Sequence, residues 1–162
     1  MSLAVYPGSF DPVTRGHVDI VRRARGIFDE VVLAVAQNPG KTYLFDVEQR
    51  VELARAAVDG LDVRVDVVDG LVADYCRRVG ASAIVKGLRG GADLDAEQPM
   101  ALANRHLAGV ETMFLVSDGA FAHVASSLVK DIASYGGDIS DFVPPVVAQA
   151  LRDAYAHPGG PR

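Results

Sequence analysis

A dense segment near the start of the chain has the residue types needed to bind phosphate. Residues 7–17 read P-G-S-F-D-P-V-T-R-G-H and follow a short apolar run. Gly8 lets the backbone approach a ligand closely, so that the hydroxyl and amides around Ser9 can point at an anion. His17 lies where a helix is predicted to begin, and the free N–H groups and the dipole there favour negative charge. The alternative interpretation is a tight turn followed by a surface histidine.

Three further segments carry cations or hydroxyls that suit the same chemistry. Ammonium and guanidinium groups bind phosphate well, and hydroxyls at the start of a helix either bind an anion or cap the helix. Such a set would act by positioning phosphates and offsetting their charge, which suits phosphoryl or nucleotidyl transfer. The residues are Lys41 in Q-N-P-G-K-T, Lys86 and Arg89 in K-G-L-R-G-G, and Ser126 and Ser127 in S-S-L-V-K.

Other nucleotide and cysteine chemistries are disfavoured by the sequence. The G-K-T at 40–42 lacks the glycine that a phosphate-binding loop of nucleotide hydrolases needs five residues before Gly40, where Val35 stands. The G-x-G-x-x-G fingerprint of dinucleotide-binding redox enzymes is also missing after the first predicted strand. The single cysteine, Cys76, excludes an internal disulfide and a multi-cysteine zinc site. Its place within a helical pattern favours a structural thiol over a reactive nucleophile.

Apolar runs that alternate with helical patterns position these segments. Strands are predicted at 3–6, 31–36, 63–68, 82–85 and 111–116, and helices at 16–28, 46–58, 70–79, a stretch ending near 107, 126–135 and 145–156. This order predicts one doubly wound α/β domain over 1–156, with a five-stranded parallel sheet, helices on both faces and a flexible tail at 157–162. Ligands of such folds bind beyond the carboxyl ends of the strands, where all the candidate segments lie.

Composition narrows the class of protein and its partners. The 162 residues are 49% hydrophobic and 23% charged, which is typical of one globular domain. The apolar runs are too short to span a membrane, and no basic segment precedes one at the start, so a cytoplasmic location without a membrane partner is expected. A net charge of −5 disfavours a sequence-independent nucleic-acid binder, although a few local cations can still hold a small anion.

The order of these motifs resembles one known family. Residues 7–17 resemble the signature of the nucleotidylyltransferase superfamily, whose second half, T/H-x-G-H, is here Thr14–His17. Followed by K-G-L-R, N-R-H-L and S-S-L-V-K, the chain resembles the bacterial phosphopantetheine adenylyltransferases from about Leu3 to Tyr155. The resemblance implies a Rossmann-like fold and transfer of the adenylyl group of ATP to 4′-phosphopantetheine. The products would be dephospho-coenzyme A and pyrophosphate, in the penultimate step of coenzyme A synthesis.

The resemblance also implies a cofactor, an assembly and a regulator. Magnesium would be held through the ATP phosphates, with no metal ligand from the protein. The enzyme would be a homohexamer, and coenzyme A could bind the same pocket as a feedback inhibitor.

Individual residues inherit roles from the same resemblance. His17 would stabilise the transition state, with Lys41 and Arg89 as further catalytic cations. ATP would be bound by Ser9, Phe10, His17, Gly87, Leu88, Arg89, Glu97, Phe121, Ala122, His123, Val124, Ala125, Ser126 and Ser127. Phosphopantetheine would be bound by Ser9, Lys41, Val72, Lys86, Met100 and Asn104.

Two segments depart from the family pattern. Where the family usually reads F-E-Y-E before an uninterrupted helix, the chain reads L-D-A-E-Q-P-M, with Ala96 in place of the aromatic residue. Because proline removes a hydrogen bond from a helix interior, Pro99 predicts either a helix that begins near Gln98 or a kink. In F-A-H-V-A-S-S, alanines replace hydroxyls and His123 replaces an aromatic residue, which predicts a stacking or surface role for His123.

Two alternative functions stay open. The first is another nucleotidylyltransferase, acting on nicotinamide mononucleotide or a sugar-alcohol phosphate, which Lys41 and Lys86 disfavour. The second is a non-catalytic nucleotide-binding domain, which the joint presence of Ser9, His17 and Arg89 disfavours.

Overall fold

The computed structural model describes residues 1–156, so the predicted tail at 157–162 lies outside the described residues. The strands are β1 (Leu3–Gly8), β2 (Glu30–Gln37), β3 (Arg64–Asp69), β4 (Ala83–Leu88) and β5 (Glu111–Val116). The helices are α1 (Arg15–Arg25), α2 (Val47–Ala57), α3 (Val72–Val79), α4 (Gly91–Ala108), α5 (Ser126–Ser134) and α6 (Pro145–Ala156), with a 3₁₀ turn at Gly119–Phe121.

The strands form one parallel sheet in the order β3-β2-β1-β4-β5, which confirms the predicted five-stranded parallel sheet. The chain builds outward from β1 to β3 and then returns to the other side of β1 with β4. The strand order therefore reverses between β1 and β4. In open α/β sheets a crevice forms outside the carboxyl ends of the strands at such a point.

The sheet is covered on both faces, as the continuous apolar strands predict. Ala4 and Tyr6 of β1 lie in a core shared with α1, α2, α5 and α6, whereas Leu3 and Val5 lie in a core shared with α3. Because successive side chains of a strand point to opposite faces, β1 is buried from both sides and forms a rigid support for the loop that follows it. Within residues 1–156, no helix combines the length and the apolar character needed to cross a membrane.

Local sequence signals explain several helix ends. Asp46 and Gln49 form the predicted capping box of α2, and Gly80 ends α3 in the left-handed conformation at φ 70°. The strands β1 and β4 extend beyond their apolar runs to Gly8 and Leu88. Main-chain pairing continues there although the side chains no longer fill a core, and these extensions reach the candidate site.

The helix α4 runs without interruption through Pro99, so the alternative in which it begins near Gln98 is wrong, and the other alternative, a kink at Pro99, stays a prediction. It begins at Gly91, with Asp93 in its first turn. Pro99 donates no bond to the carbonyl of Asp95, but both residues are exposed, so water can satisfy that carbonyl. The proline is therefore tolerated because it lies on a solvated face of α4.

Candidate active site

A cleft of about 440 Å³ opens at the carboxyl ends of β1 and β4, where the strand order reverses. Its walls come from the loop after β1, the loop after β2, the end of β4, the first turns of α4 and the start of α5. The sequence-predicted residues that line it are Ser9, Phe10, His17, Lys41, Lys86, Gly87, Arg89, Glu97, Phe121, Val124, Ala125, Ser126 and Ser127.

Six sequence-predicted residues are not among those that line this cleft. Their binding roles stay predictions. Val72 packs against the core on the α3 side of the sheet, and the exposed ring of His123 meets that of Phe142 edge to face at 5.6 Å. The six are Val72, Leu88, Met100, Asn104, Ala122 and His123.

The imidazole of His17 is held in a defined orientation. The backbone N–H of Thr14 donates to His17 Nδ1 at 3.0 Å, and the ring lies edge to face with Phe10 at 4.9 Å. A nitrogen that accepts a hydrogen bond carries no proton, so the proton of the neutral ring is on Nε2. Nε2 is therefore available to donate to an oxygen in the cleft.

The protonation state of His17 is set by its surroundings. Burial, followed by the nearby Lys86 and Arg89 cations, lowers the pKa of His17 to about 4. His17 is thus a neutral donor at physiological pH, which suits contact with phosphate oxygens without a proton transfer.

We expect the His17 ring to titrate near pH 4 rather than near its ordinary value of about 6.5. Because the unfolded chain binds this proton more tightly, the contribution of His17 to stability is complete above about pH 6.5 and is lost as the pH falls toward 4. NMR of the His17 imidazole carbons against pH measures this directly. A His17 midpoint at its ordinary value of about 6.5 would contradict it.

Two acidic residues of α4 hold the two cations at the carboxyl end of β4, Lys86 within the strand and Arg89 directly after it. The Nζ of Lys86 lies 3.3 Å from Glu97 Oε1 and donates to the carbonyl of Pro7 at 3.4 Å. The guanidinium of Arg89 donates to both carboxylate oxygens of Asp93, through Nε at 3.2 Å and Nη2 at 3.3 Å. Because Asp93 and Glu97 are one turn apart on α4, the helix presents both cations to the same cleft.

The hydroxyl of Ser126 does not cap its own helix, so the interpretation of this residue as a plain N-cap is wrong. Ala125 is the N-cap residue of α5, and no side chain caps that end. Ser126 Oγ instead donates to the carbonyl of Pro12 at 2.8 Å, which ties α5 to the loop after β1. The first amides of α5 therefore face the cleft without a capping side chain, as an anion site requires.

Comparison with known proteins identifies the family that has this arrangement. The cytidylyltransferase-like family matches residues 5–132. The phosphopantetheine adenylyltransferase of Micrococcus luteus is 52% identical over 154 residues, which cover 93% of this chain and 98% of that protein. The phosphopantetheine adenylyltransferase of Nocardioides sp. is 55% identical, with 94% and 96% covered. The chain belongs to the phosphopantetheine adenylyltransferases.

Solved structures of low sequence identity share the fold of this family. A putative nicotinate-nucleotide adenylyltransferase from Vibrio parahaemolyticus superposes with a TM-score of 0.68 at 18% identity, over 96% of this chain and 94% of that one. The Plasmodium falciparum nicotinic acid mononucleotide adenylyltransferase, complexed with NaAD, gives 0.69 at 12% identity, over 94% and 95%. The likeness confirms the Rossmann-like nucleotidylyltransferase fold.

Sequence reasoning missed a buried arginine that supports the cleft. Arg50 is 2% exposed, and its Nη1 donates to the carbonyls of Ser9 and Ala36 at 2.8 and 2.9 Å. Its guanidinium lies 3.9 Å from the centre of the Tyr43 ring. The available signal was a charged residue on the apolar face of α2, next to Val51 and in helical register with Ala54.

Replacing Arg50 with methionine should lower the free energy of unfolding by about 2–4 kcal/mol, because it leaves two partly buried carbonyls without their charged donor. Denaturant unfolding monitored by circular dichroism measures the change. Arg55→Met, at an exposed position of the same helix, is the matched control and should change stability by no more than about 0.5 kcal/mol. Equal effects of the two substitutions would contradict a structural role for Arg50.

Proposed function

We propose that this chain transfers the adenylyl group of ATP to 4′-phosphopantetheine, giving dephospho-coenzyme A and pyrophosphate. The observation that carries the proposal is the convergence of His17, Lys86 and Arg89 on one cleft. The chain that forms this cleft is 52% identical to a phosphopantetheine adenylyltransferase over nearly its whole length. One neutral hydrogen-bond donor and two cations held by carboxylates suit a reaction between two anionic substrates.

The proposed chemistry is a direct displacement at phosphorus. An oxygen of the acceptor phosphate forms a bond to the α-phosphorus of ATP, and the bond from the α-phosphorus to the bridging oxygen of the β-phosphate breaks. Pyrophosphate leaves with the bonding electron pair. Because the acceptor phosphate is already an anion at neutral pH, no general base is needed, and the Nε2–H of His17 donates to the charge that builds up on the α-phosphate.

The remaining residues of the cleft position the two substrates. In this proposal Lys41 and Lys86 hold the acceptor phosphate, while Arg89, the amides after Gly8 and the first turn of α5 hold the phosphates of ATP. The pairs Lys86–Glu97 and Arg89–Asp93 support these roles, since they fix both cations in the cleft. Contacts of the pantetheine arm with Val72, Met100 and Asn104 rest on the family resemblance alone.

We propose that magnesium enters with ATP and neutralises charge on its phosphates. The carboxylates that line the cleft are those of Asp11, Asp93 and Glu97, and each pairs with a lysine or an arginine. Within residues 1–156, no group of three or more histidine, cysteine, aspartate or glutamate side chains is arranged to hold a metal ion. The donor set therefore fits a metal carried by the substrate better than one bound by the protein.

We propose that residues 1–156 form one domain and that this domain assembles as a homohexamer. The number of subunits rests on the family resemblance. The need for a partner surface is supported by α4, an 18-residue helix in which only Asn104 is buried. Large apolar side chains are exposed on α4 and the neighbouring edge strand β5, and a second copy of the chain would cover them. They are Leu94, Met100, Leu102, Leu107, Met113 and Val116.

Two further proposals follow from the reaction. Coenzyme A contains the same pantetheine arm and adenylyl group as the product, so it would compete for the same cleft as a feedback inhibitor. The cytoplasm, where ATP is made available for biosynthesis, is the proposed location.

The test is pyrophosphate release from ATP and magnesium with a panel of acceptors. We expect release with 4′-phosphopantetheine and none with nicotinamide mononucleotide or glycerol 3-phosphate. Release with either of the other acceptors would favour a different nucleotidylyltransferase activity. Binding of ATP without release from any acceptor would favour a non-catalytic nucleotide-binding domain.

A further inference from the structure

We propose that Asp11 is a positioning residue that holds two walls of the cleft against the loop after β1. The proposal rests on the proposed function for its kinetic consequence, and on the contacts of a buried carboxylate for its structural basis. Asp11 is 4% exposed and lies between Phe10 and Pro12, in the segment that carries the first phosphate-binding groups.

The carboxylate of Asp11 accepts hydrogen bonds from two different parts of the fold. The backbone N–H of Phe45 donates to Oδ1 at 3.0 Å, and that of Leu44 donates to Oδ2 at 2.9 Å. The ammonium of Lys130 on α5 also donates to Oδ2 at 3.0 Å. Asp11 therefore joins the loop after β1 to the loop after β2 and to α5, which both line the cleft.

The contact with Leu44 and Phe45 restrains the segment that carries Lys41. Lys41 and the two residues that follow it line the cleft, and Leu44 comes directly after them. The side chain of Lys41 is exposed, so the position of its ammonium depends on how well its backbone is held. Asp11 holds that backbone three residues downstream, and the guanidinium of Arg50 packs on the ring of Tyr43.

The contact between Asp11 and Lys130 is one of two hydrogen bonds that connect the same face of α5 to the loop after β1. Ser126 and Lys130 are one helical turn apart, and both bond to the loop after β1, at the Pro12 carbonyl and at Asp11. The amides at the start of α5 are thus fixed relative to the Ser9 segment. Both groups must keep this spacing if they are to hold the phosphates of one ATP molecule.

Both oxygens of Asp11 accept hydrogen bonds from the protein, and the side chain is 4% exposed, so we place its effect on the reaction in the position of Lys41 and of α5. Asp11→Asn keeps the shape of the side chain but has one acceptor oxygen. In either orientation of the amide, its NH₂ group faces at least one N–H or ammonium donor, so at least one of the ties is broken.

The experiment compares the full-length wild type, Asp11→Asn and the control Val147→Ala, which removes buried methyl groups from α6. The rate of hydrogen exchange at the backbone amides of Leu44 and Phe45 shows whether their hydrogen bonds to Asp11 are intact, and it does not depend on enzyme activity. Steady-state kinetics with ATP and 4′-phosphopantetheine reports the consequence. Asp11→Asn should speed exchange at these two amides about tenfold or more and lower kcat/KM for the acceptor about 10- to 100-fold. The KM for ATP should change less than that for the acceptor.

The outcomes separate this proposal from the proposed function. If Asp11→Asn speeds exchange at the Leu44 and Phe45 amides but the wild type has no activity, the hydrogen bonds of Asp11 are supported and the proposed activity is refuted. Unchanged exchange in Asp11→Asn, or equal changes in Val147→Ala, would overturn the positioning role. If Asp11→Asn does not fold, wild-type amides at 44 and 45 must still exchange about 10²-fold more slowly than in an unstructured chain, and free exchange would overturn the proposal.

Discussion

Replacing His17 with alanine is expected to lower kcat about 10²- to 10³-fold, the usual cost of removing one donor to a developing oxyanion. The neutral ring offers Nε2–H to the cleft because Nδ1 accepts from the backbone of Thr14. A donor that acts on charge developed in the transition state affects turnover more than binding. The KM values for ATP and 4′-phosphopantetheine should therefore change little.

Two variants separate this effect from damage to the fold. His17→Asn retains an N–H donor on a shorter side chain and should recover part of the activity. Thr14→Ala removes the hydroxyl that accepts from the His17 backbone at 3.3 Å but keeps the N–H that orients the ring. It should lower stability by about 1 kcal/mol, as the loss of a helix cap does, with a much smaller effect on kcat. Near wild-type turnover of His17→Ala would refute its proposed role.

Replacing Arg89 with methionine is expected to lower kcat/KM for ATP about 10²-fold or more, because a cation that faces the phosphates is lost. The side chain is fixed in advance by its two contacts with Asp93, so little conformational entropy is lost when ATP binds. Arg89→Lys keeps the charge but cannot form the two parallel contacts, and we expect it to recover only part of the loss.

Asp93→Asn provides the matched test of that fixed geometry. It retains a side chain that can accept from the Arg89 amide, which donates to Asp93 Oδ2 at 2.8 Å, but it cannot hold the guanidinium through two charged oxygens. We expect kcat/KM for ATP to fall less than in Arg89→Met. If Arg89→Met has the same kcat and KM for ATP as the wild type, the guanidinium of Arg89 does not contact the ATP phosphates and its proposed role is refuted.

The fold could be predicted from the sequence because its signals are local. Apolar strands such as 31–36 and the capping box of Asp46 and Gln49 require no knowledge of distant contacts. The segments that hold Ser9, Lys86 and Ser126 could be grouped because parallel strands place their carboxyl ends at one edge of the sheet. The identity of the family came from the order of the motifs, which physical reasoning on single residues does not supply.

The parts that could not be predicted depend on contacts between distant segments. Asp11 bonds to Leu44, Phe45 and Lys130, which are far away in sequence, and no local pattern specifies such a set. The buried position of Arg50 likewise depends on two distant carbonyls, that of Ser9 in the loop after β1 and that of Ala36 in β2. A start of α4 near Gln98 was one of two predicted alternatives because proline is disfavoured in a helix interior, but the helix begins at Gly91.

The most direct test of the central claim is ³¹P NMR of the purified wild-type enzyme with ATP, magnesium and 4′-phosphopantetheine. Direct attack on the α-phosphorus predicts that pyrophosphate and a new diphosphate ester appear in equal amounts, while no ADP forms. Formation of ADP would show that a phosphoryl group is transferred instead. No change in the spectrum, under conditions in which ATP binds, would show that the cleft holds a nucleotide without transferring its adenylyl group.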